Sequence, residues 1–111
     1  MAFAVQFTSG ARKDLRALHT YIAENDSLEN ADHVAREIVR CALTLCDLPS
    51  RGSHPPELLQ QGRRDYRQIF FKPYRILYRI RAKTVFIAVI TDGRRDMSPF
   101  LARRLPGPRG R

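Results

Sequence analysis

Residues 63–81 read RRDYRQIFFKPYRILYRIR, and the fold turns on how this stretch is taken. Its β-branched and aromatic residues mark strands, and Lys72-Pro73 is a break between two of them. The second strand, Tyr74–Arg81, alternates with period two. Tyr74, Ile76, Tyr78 and Ile80 form one set and suit a covered core. Arg75, Leu77, Arg79 and Arg81 form the other, expected on an open face or along the sheet edge, because an unpaired buried guanidinium is strongly unfavourable. The first strand runs roughly over residues 66–71. Ile69 and Phe71 face inward there, which also turns Arg67 inward near the strand start, where it must reach solvent or a carboxylate.

Working outward, Ala82-Lys83 is a tight connection to a third strand, Thr84–Thr91. TVFIAVIT is apolar on both faces and is expected at the centre of the sheet. Upstream, Phe3, Val5 and Phe7 alternate as a short half-buried strand, and Thr8 or Ser9 can cap the helix that follows. In that helix Ala11, Leu15, Leu18 and Ile22 share one face. A second helix starts near Ser27, with Ala31, Ala35, Ile38, Ala42 and Leu45 as its stripe, and Val34, Val39 and Cys46 widening it. Pro49 stops it. Residues 48–62, LPSRGSHPPELLQQG, read as a loop. DGRR turns the chain after the last strand, MSPFLARRL adds a short helical or irregular segment, and residues 106–111 read as a flexible basic tail. The order β-α-α-β-β-β predicts an α+β fold in one domain over residues 1–105. It is a two-layer sandwich, with the helical hairpin packed on one face of an antiparallel-rich sheet and the other face free.

Charge is segregated along the chain. Residues 1–62 carry 6 Lys+Arg against 8 Asp+Glu, and residues 63–111 carry 14 against 3, so the whole net charge of +9 arises in the half that holds the sheet. Such a surface points to acidic partners, nucleic acid or an acidic protein. A membrane is not expected: no basic amphipathic helix and no long apolar run is present. MAFAVQFTSG lacks the pattern of a signal peptide. Cys41 and Cys46 lie about 140° apart around one helix, too divergent to pair, and read as free thiols of a reducing compartment. The expected location is the cytoplasm.

Much chemistry is missing. His19, His33 and His54 are scattered, no Cys/His spacing suits zinc, and no glycine loop suits a nucleotide, so neither metal nor cofactor is expected. The acids do not cluster in the sheet half, which argues against a two-metal nuclease. A site of arginines alone can still cut RNA by orienting the 2′-hydroxyl and stabilising the phosphorane. It needs a group to move protons, and Lys72 and Tyr66 are the nearby candidates.

PYRILYRI (73–80), a strand, and then DGRRD (92–96) resemble the RelE/ParE superfamily of bacterial type II toxins, as do Lys13-Asp14-Leu15 to Tyr21-Ile22-Ala23 and PELLQQG before the sheet. The resemblance covers nearly the whole chain and implies the same sandwich. It also implies a toxin neutralised by a cognate antitoxin, often acidic and encoded beside it. RelE-like members cut mRNA in the ribosomal A site with basic sheet residues and a C-terminal tyrosine, whereas ParE-like members lack that set and poison DNA gyrase. Arg75 matches the RelE-like sheet arginine, and Arg95, or Arg94 beside it, the second arginine. The positions of the lysines fall near Tyr66 and Gln68, and that of the tyrosine near Phe100, which has no hydroxyl. These departures favour a ParE-like gyrase poison over a metal-independent mRNA endonuclease, with a non-toxic RNA- or protein-binding domain as a third reading. Under the RelE-like activity Arg75 and Arg95 are the catalytic candidates. Target binding is expected at Arg67, Arg75, Arg79, Arg94, Arg95 and Phe100, and antitoxin binding at Leu77, Arg79, Arg81 and Leu101, with Leu77, Phe100 and Leu101 exposed on the sheet rim.

Overall fold

The computed structural model describes residues 2–106. The expected tail therefore lies, beyond Pro106, outside the described residues. The order is β1 (Ala4–Phe7), α1 (Ser9–Asn25), α2 (Leu28–Leu43), a short 3₁₀ turn, α3 (Pro56–Leu59), β2 (Arg67–Phe71), β3 (Tyr74–Arg81), β4 (Thr84–Asp92) and α4 (Met97–Arg104). The fold is α+β, as the periodicities predict. The strands lie in the order β1-β4-β3-β2, antiparallel except for the parallel pair β1–β4, so β4 is central.

Local chemistry starts each long helix. The Thr8 hydroxyl accepts the Ala11 N–H at 3.1 Å and begins α1, and the Ser27 hydroxyl accepts the Asn30 N–H at 3.0 Å and begins α2. The stripes then pack against each other and onto the sheet. Ala11, Ala31 and Ala42 are fully buried, and small side chains at these points let the helices approach closely. Ile38, Leu45, Ile69, Ile76, Tyr78, Val85 and Ile87 complete this first core.

The alternation of β3 holds on this side. Ile76 and Tyr78 are fully buried, with Tyr74 and Ile80 packed at the margin. The Tyr78 hydroxyl donates to the Pro49 carbonyl at 2.7 Å and accepts the Gly52 N–H at 3.0 Å, fastening the loop after α2 over the sheet. Position 52 must be glycine for space: a Cβ there would sit 2.6 Å from the Gln68 carbonyl and 2.7 Å from the Tyr78 hydroxyl.

The opposite sheet face is not free. Leu77 and Val89 from the sheet, Leu58 from α3, Met97, Phe100 and Leu101 from α4, and Tyr66 and Leu105 form a second core. Three expectations fail here together. PELL is a turn of helix inside the supposed loop, and together with MSPFLARR, which takes the helical of its two expected forms, it covers the face assigned to solvent. Leu77 is 0% exposed, Leu101 1% and Phe100 8%, so none of them stands out on a rim. The sheet is the middle of three layers.

A bulge in β4 makes this possible. Leu77 pairs with Val89 but Tyr78 pairs with Ile87, leaving Ala88 as an extra residue. Ile87 and Ile90 thereby both reach the first core, while Val89 joins the second and Ala88 packs against it. Arg67 reaches carbonyls instead of a carboxylate: its Nη1 donates to the Gly52 carbonyl at 2.8 Å and to the Ser50 carbonyl at 3.3 Å.

Leu77→Ala separates the two arrangements in solution. With the face covered, denaturant unfolding should register a loss of about 2–5 kcal/mol, as for a buried leucine. A change within about 0.5 kcal/mol, normal for a surface site, would mean that α3 and α4 do not pack there.

Candidate functional site

Arg75 is the pivot of the sequence reading, and its environment is not an open platform. Only 7% of it is exposed. Its side chain passes Gly93, where an added Cβ would lie 2.8 Å from the Arg75 Cγ, so the turn after β4 needs a glycine to let it by. Beyond that point its two amino nitrogens meet the Glu57 carboxylate at 2.9 Å each, a fork-to-fork pair. Nε donates to the Gln68 Oε1 at 2.8 Å, and Nη2 reaches the same oxygen. Glu57 comes from α3, the element taken for loop. The signal was present: Pro56 followed by Glu57 is the pattern of a helix start, proline in the first turn with an acid beside it.

Arg94 and Arg95 leave the sheet in the turn between β4 and α4. Arg94 is paired with Asp92, at 2.9 Å from Nε and 2.6 Å from Nη2. Arg95 lies flat on Phe100, its guanidinium carbon 3.9 Å from the ring centroid, with Nη1 3.2 Å from the Thr91 hydroxyl. It faces a groove of about 640 Å³ between α1 and the end of β4, lined also by Leu18, Tyr21 and Ile90. Tyr21 is exposed there. On the other side of the same turn, Lys72, Arg75, Gly93 and Arg94 line a hollow with Phe70.

The expected residues thus fall into three groups. Arg75, Arg94, Arg95 and Phe100 gather around the β4–α4 turn. Arg67 and Arg79 line a hollow near the start of β2, and Arg81 is exposed at the β3–β4 turn. Leu77 and Leu101 are core. Sequence reasoning missed Glu57, Gln68 and Tyr21. It also missed Asp14, whose carboxylate takes Arg104 at 2.8 and 2.9 Å and the Ile90 N–H at 3.0 Å.

Proton-moving groups are sparse. Tyr66 is buried beneath Arg63 and Arg79, and His54 Nδ1 is 3.1 Å from its backbone carbonyl. His19 pairs with Asp32 across the helical hairpin at 2.7 Å. Among the described residues no cluster of His, Cys, Asp or Glu could hold a metal, and no helix is long and apolar enough to cross a membrane. Cys41 and Cys46 are free thiols.

Residues 5–97 match the family described as "ParE toxin of type II toxin-antitoxin system, parDE". The chain belongs to the ParE toxin family. No curated protein matches it. Among solved structures the toxin is similar to a chromosomal ParDE toxin-antitoxin system from P. aeruginosa, at 19% identity and TM-score 0.69, covering 82% of this chain and 96% of that one. It is also similar to the toxin-antitoxin complex RelBE2 from Mycobacterium tuberculosis, at 25% identity and TM-score 0.61, covering 83% and 92%. The free state of an E. coli RelE mutant aligns at 15% identity and TM-score 0.62, covering 95% and 99%. The toxin therefore carries the fold shared by the ParE and RelE groups.

The Glu57–Arg75 pair makes the toxin's stability acid-sensitive. Hydrogen bonds from Arg75 hold the Glu57 carboxyl below its ordinary value of 4.5, against the opposing effect of burial. A depressed folded-state pKa means that the ionised form favours folding. The contribution is whole above about pH 4.5 and fades as pH falls through the lower folded value. Glu57→Gln should cost about 3–5 kcal/mol at pH 7, since it leaves a buried guanidinium without its counter-charge, and should flatten the decline of stability as pH falls below about 4.5. Denaturation curves across that range measure both, and an unchanged acid limb would show that the pair does not form in solution.

Proposed function

We propose that this toxin arrests growth by binding and poisoning DNA gyrase, and that a cognate antitoxin, acidic and encoded beside it, neutralises it in the cytoplasm. The observation that carries the reading is the sealing of Arg75. The residue that matches the RelE-like sheet arginine already holds a bidentate carboxylate and an amide oxygen. A scissile phosphate would have to displace Glu57 from a site that is nearly closed to solvent. The position of the RelE-like tyrosine is taken by Phe100, which serves as the platform for Arg95. What remains accessible is a surface for contact: Arg95 over an aromatic ring, beside the mixed polar and apolar groove that holds Leu18 and Tyr21. Arginine and tyrosine side chains of this kind supply much of the energy of protein interfaces. The solved ParDE and RelBE2 relatives are toxin-antitoxin systems, which supports an antitoxin partner, and exposed Arg81 together with Arg79 would speed association with an acidic one.

A ribosome-dependent mRNA endonuclease is the second reading. One observation favours it: Lys72, Arg75 and Arg94 line the same hollow. Under that reading Arg75 and Arg94, the alternative for the second arginine, would hold the phosphate and Lys72 would move the proton.

Two assays on the purified chain separate the readings. With gyrase and relaxed plasmid, supercoiling should be inhibited and double-strand breaks trapped. Arg95→Ala should weaken inhibition about tenfold or more, the effect of losing an interface arginine. With translating ribosomes, mRNA should stay intact. Codon-positioned cleavage that disappears in Arg75→Ala would replace the gyrase reading with the endonuclease one.

A further inference from the structure

A count of basic side chains does not tell which of them have charge to give a ligand. In the described structure Arg75 is neutralised by Glu57, Arg94 by Asp92, Arg104 by Asp14 and Arg63 by Asp65. Among the described residues no acid lies within salt-bridge distance of Arg64, Arg67, Arg79 or Arg81. Three of these, Arg64, Arg67 and Arg79, line one hollow of about 270 Å³ with Asp65 and Ile80. The one acid there is already engaged by Arg63 at 2.8 Å.

Two of the three guanidiniums are held in place by uncharged partners. Arg67 is tethered through Nη1 to the Gly52 and Ser50 carbonyls, and Arg79 lies 5.7 Å from the centroid of the Tyr66 ring. Carbonyl and aromatic contacts fix a guanidinium without cancelling its charge. The side chains are thus ordered before a ligand arrives, which lowers the entropic cost of binding one. The backbone leaves the place accessible. The β2–β3 ladder ends at Arg67↔Tyr78, so Arg79–Arg81 continue with only β4 as a partner. The hollow lies in the corner where β3 outruns β2.

We propose that this corner binds the sugar-phosphate backbone of duplex DNA, with Arg64, Arg67 and Arg79 contacting phosphates. Three uncompensated arginines at one corner match the repeating charge of a phosphodiester chain. Single-stranded nucleic acid is usually gripped by exposed aromatic rings on which bases stack. Here the one aromatic residue in contact, Tyr66, is buried under Arg63 and Arg79 and offers no such platform. The site stands apart from the groove at Arg95, so DNA contact and gyrase contact occupy different parts of the surface.

The test is fluorescence anisotropy of the 111-residue chain with a labelled 20-base-pair duplex of arbitrary sequence across 50–200 mM salt. Three phosphate contacts predict a log–log salt slope of about −2.7 and a loss of affinity of about 40-fold over that range. The pair Arg64→Gln/Arg79→Gln, which spares the loop tether at Arg67, should bring the slope to about −0.9. The pair Arg16→Gln/Arg36→Gln on the helical hairpin removes two exposed arginines that likewise have no acid among the described residues within salt-bridge distance, and should leave the slope unchanged. Equal losses from both pairs would mean diffuse attraction without a site and would overturn the proposal. So would tighter binding of single-stranded RNA or of polyglutamate, or no duplex binding by the wild-type chain. Gyrase is absent from the measurement, so a toxin that binds duplex but fails to inhibit gyrase refutes the gyrase reading alone. One that inhibits gyrase but does not bind duplex refutes this one alone.

Discussion

The ion pair between Asp14 and Arg104 closes the sheet where a strand runs out. β1 stops at Phe7, opposite Ile87, while β4 continues to Asp92. Past that point no strand among the described residues accompanies β4 on that side, and its backbone groups need partners. Two side chains provide them. Asp14 accepts the Ile90 N–H at 3.0 Å, and Arg104 donates to the Ala88 carbonyl at 3.1 Å while its guanidinium also grips Asp14. One pair of charges thus serves as two rungs of a ladder and ties α1, the bulge of β4 and α4 to one another. The approach of Arg104 also leaves little room at the start of α1, where a Cβ on Gly10 would sit 2.9 Å from its Nη2. The groove beside Arg95 and the cover over the second core both depend on α4 being held here.

The same logic distinguishes arginines that build the fold from those that face outward. A guanidinium that a carboxylate grips on both amino nitrogens is structural in this protein, unlike the paired but exposed Arg94. Arg75 and Arg104 are the two clearest cases: each is bound on both amino nitrogens and braces a helix against the sheet. Arg79 and Arg95 are instead set against aromatic rings, which orient them and leave their charge unspent.

What was legible in the sequence followed from short-range rules. The caps at Thr8 and Ser27, the apolar faces of both long helices and the bounds of β3 all came from contacts within one element and its neighbour. Period two correctly sent Ile76 and Tyr78 to the helical hairpin. It also separated Arg75 and Leu77 from them, but it could not say what lay on their side. A helix of four residues, Pro56–Leu59, is too short to show a periodicity, and only its Pro-Glu start betrays it. The partner of Arg75 stands 18 positions upstream and that of Arg104 stands 90 positions away. Nothing local to either arginine announces a carboxylate, which is why period two alone puts Arg75 on an open face and leaves Arg104 without a role.

The parallel pairing of β1 with β4 sets a timetable for the nascent chain. Ala4 must find Thr84, and Asp14 must wait for Arg104. At a synthesis rate of about 5–20 residues per second, roughly 5–20 seconds separate the appearance of the first partner, Ala4, from that of the last, Arg104. Through that interval the helical hairpin exists without the sheet that covers its apolar side, and the arginines of β2 and β3 are not yet mounted on a rigid frame. In a chain built this way the sheet is not braced until α4 has been made, and Asp14 of the N-terminal half is among the groups that complete it.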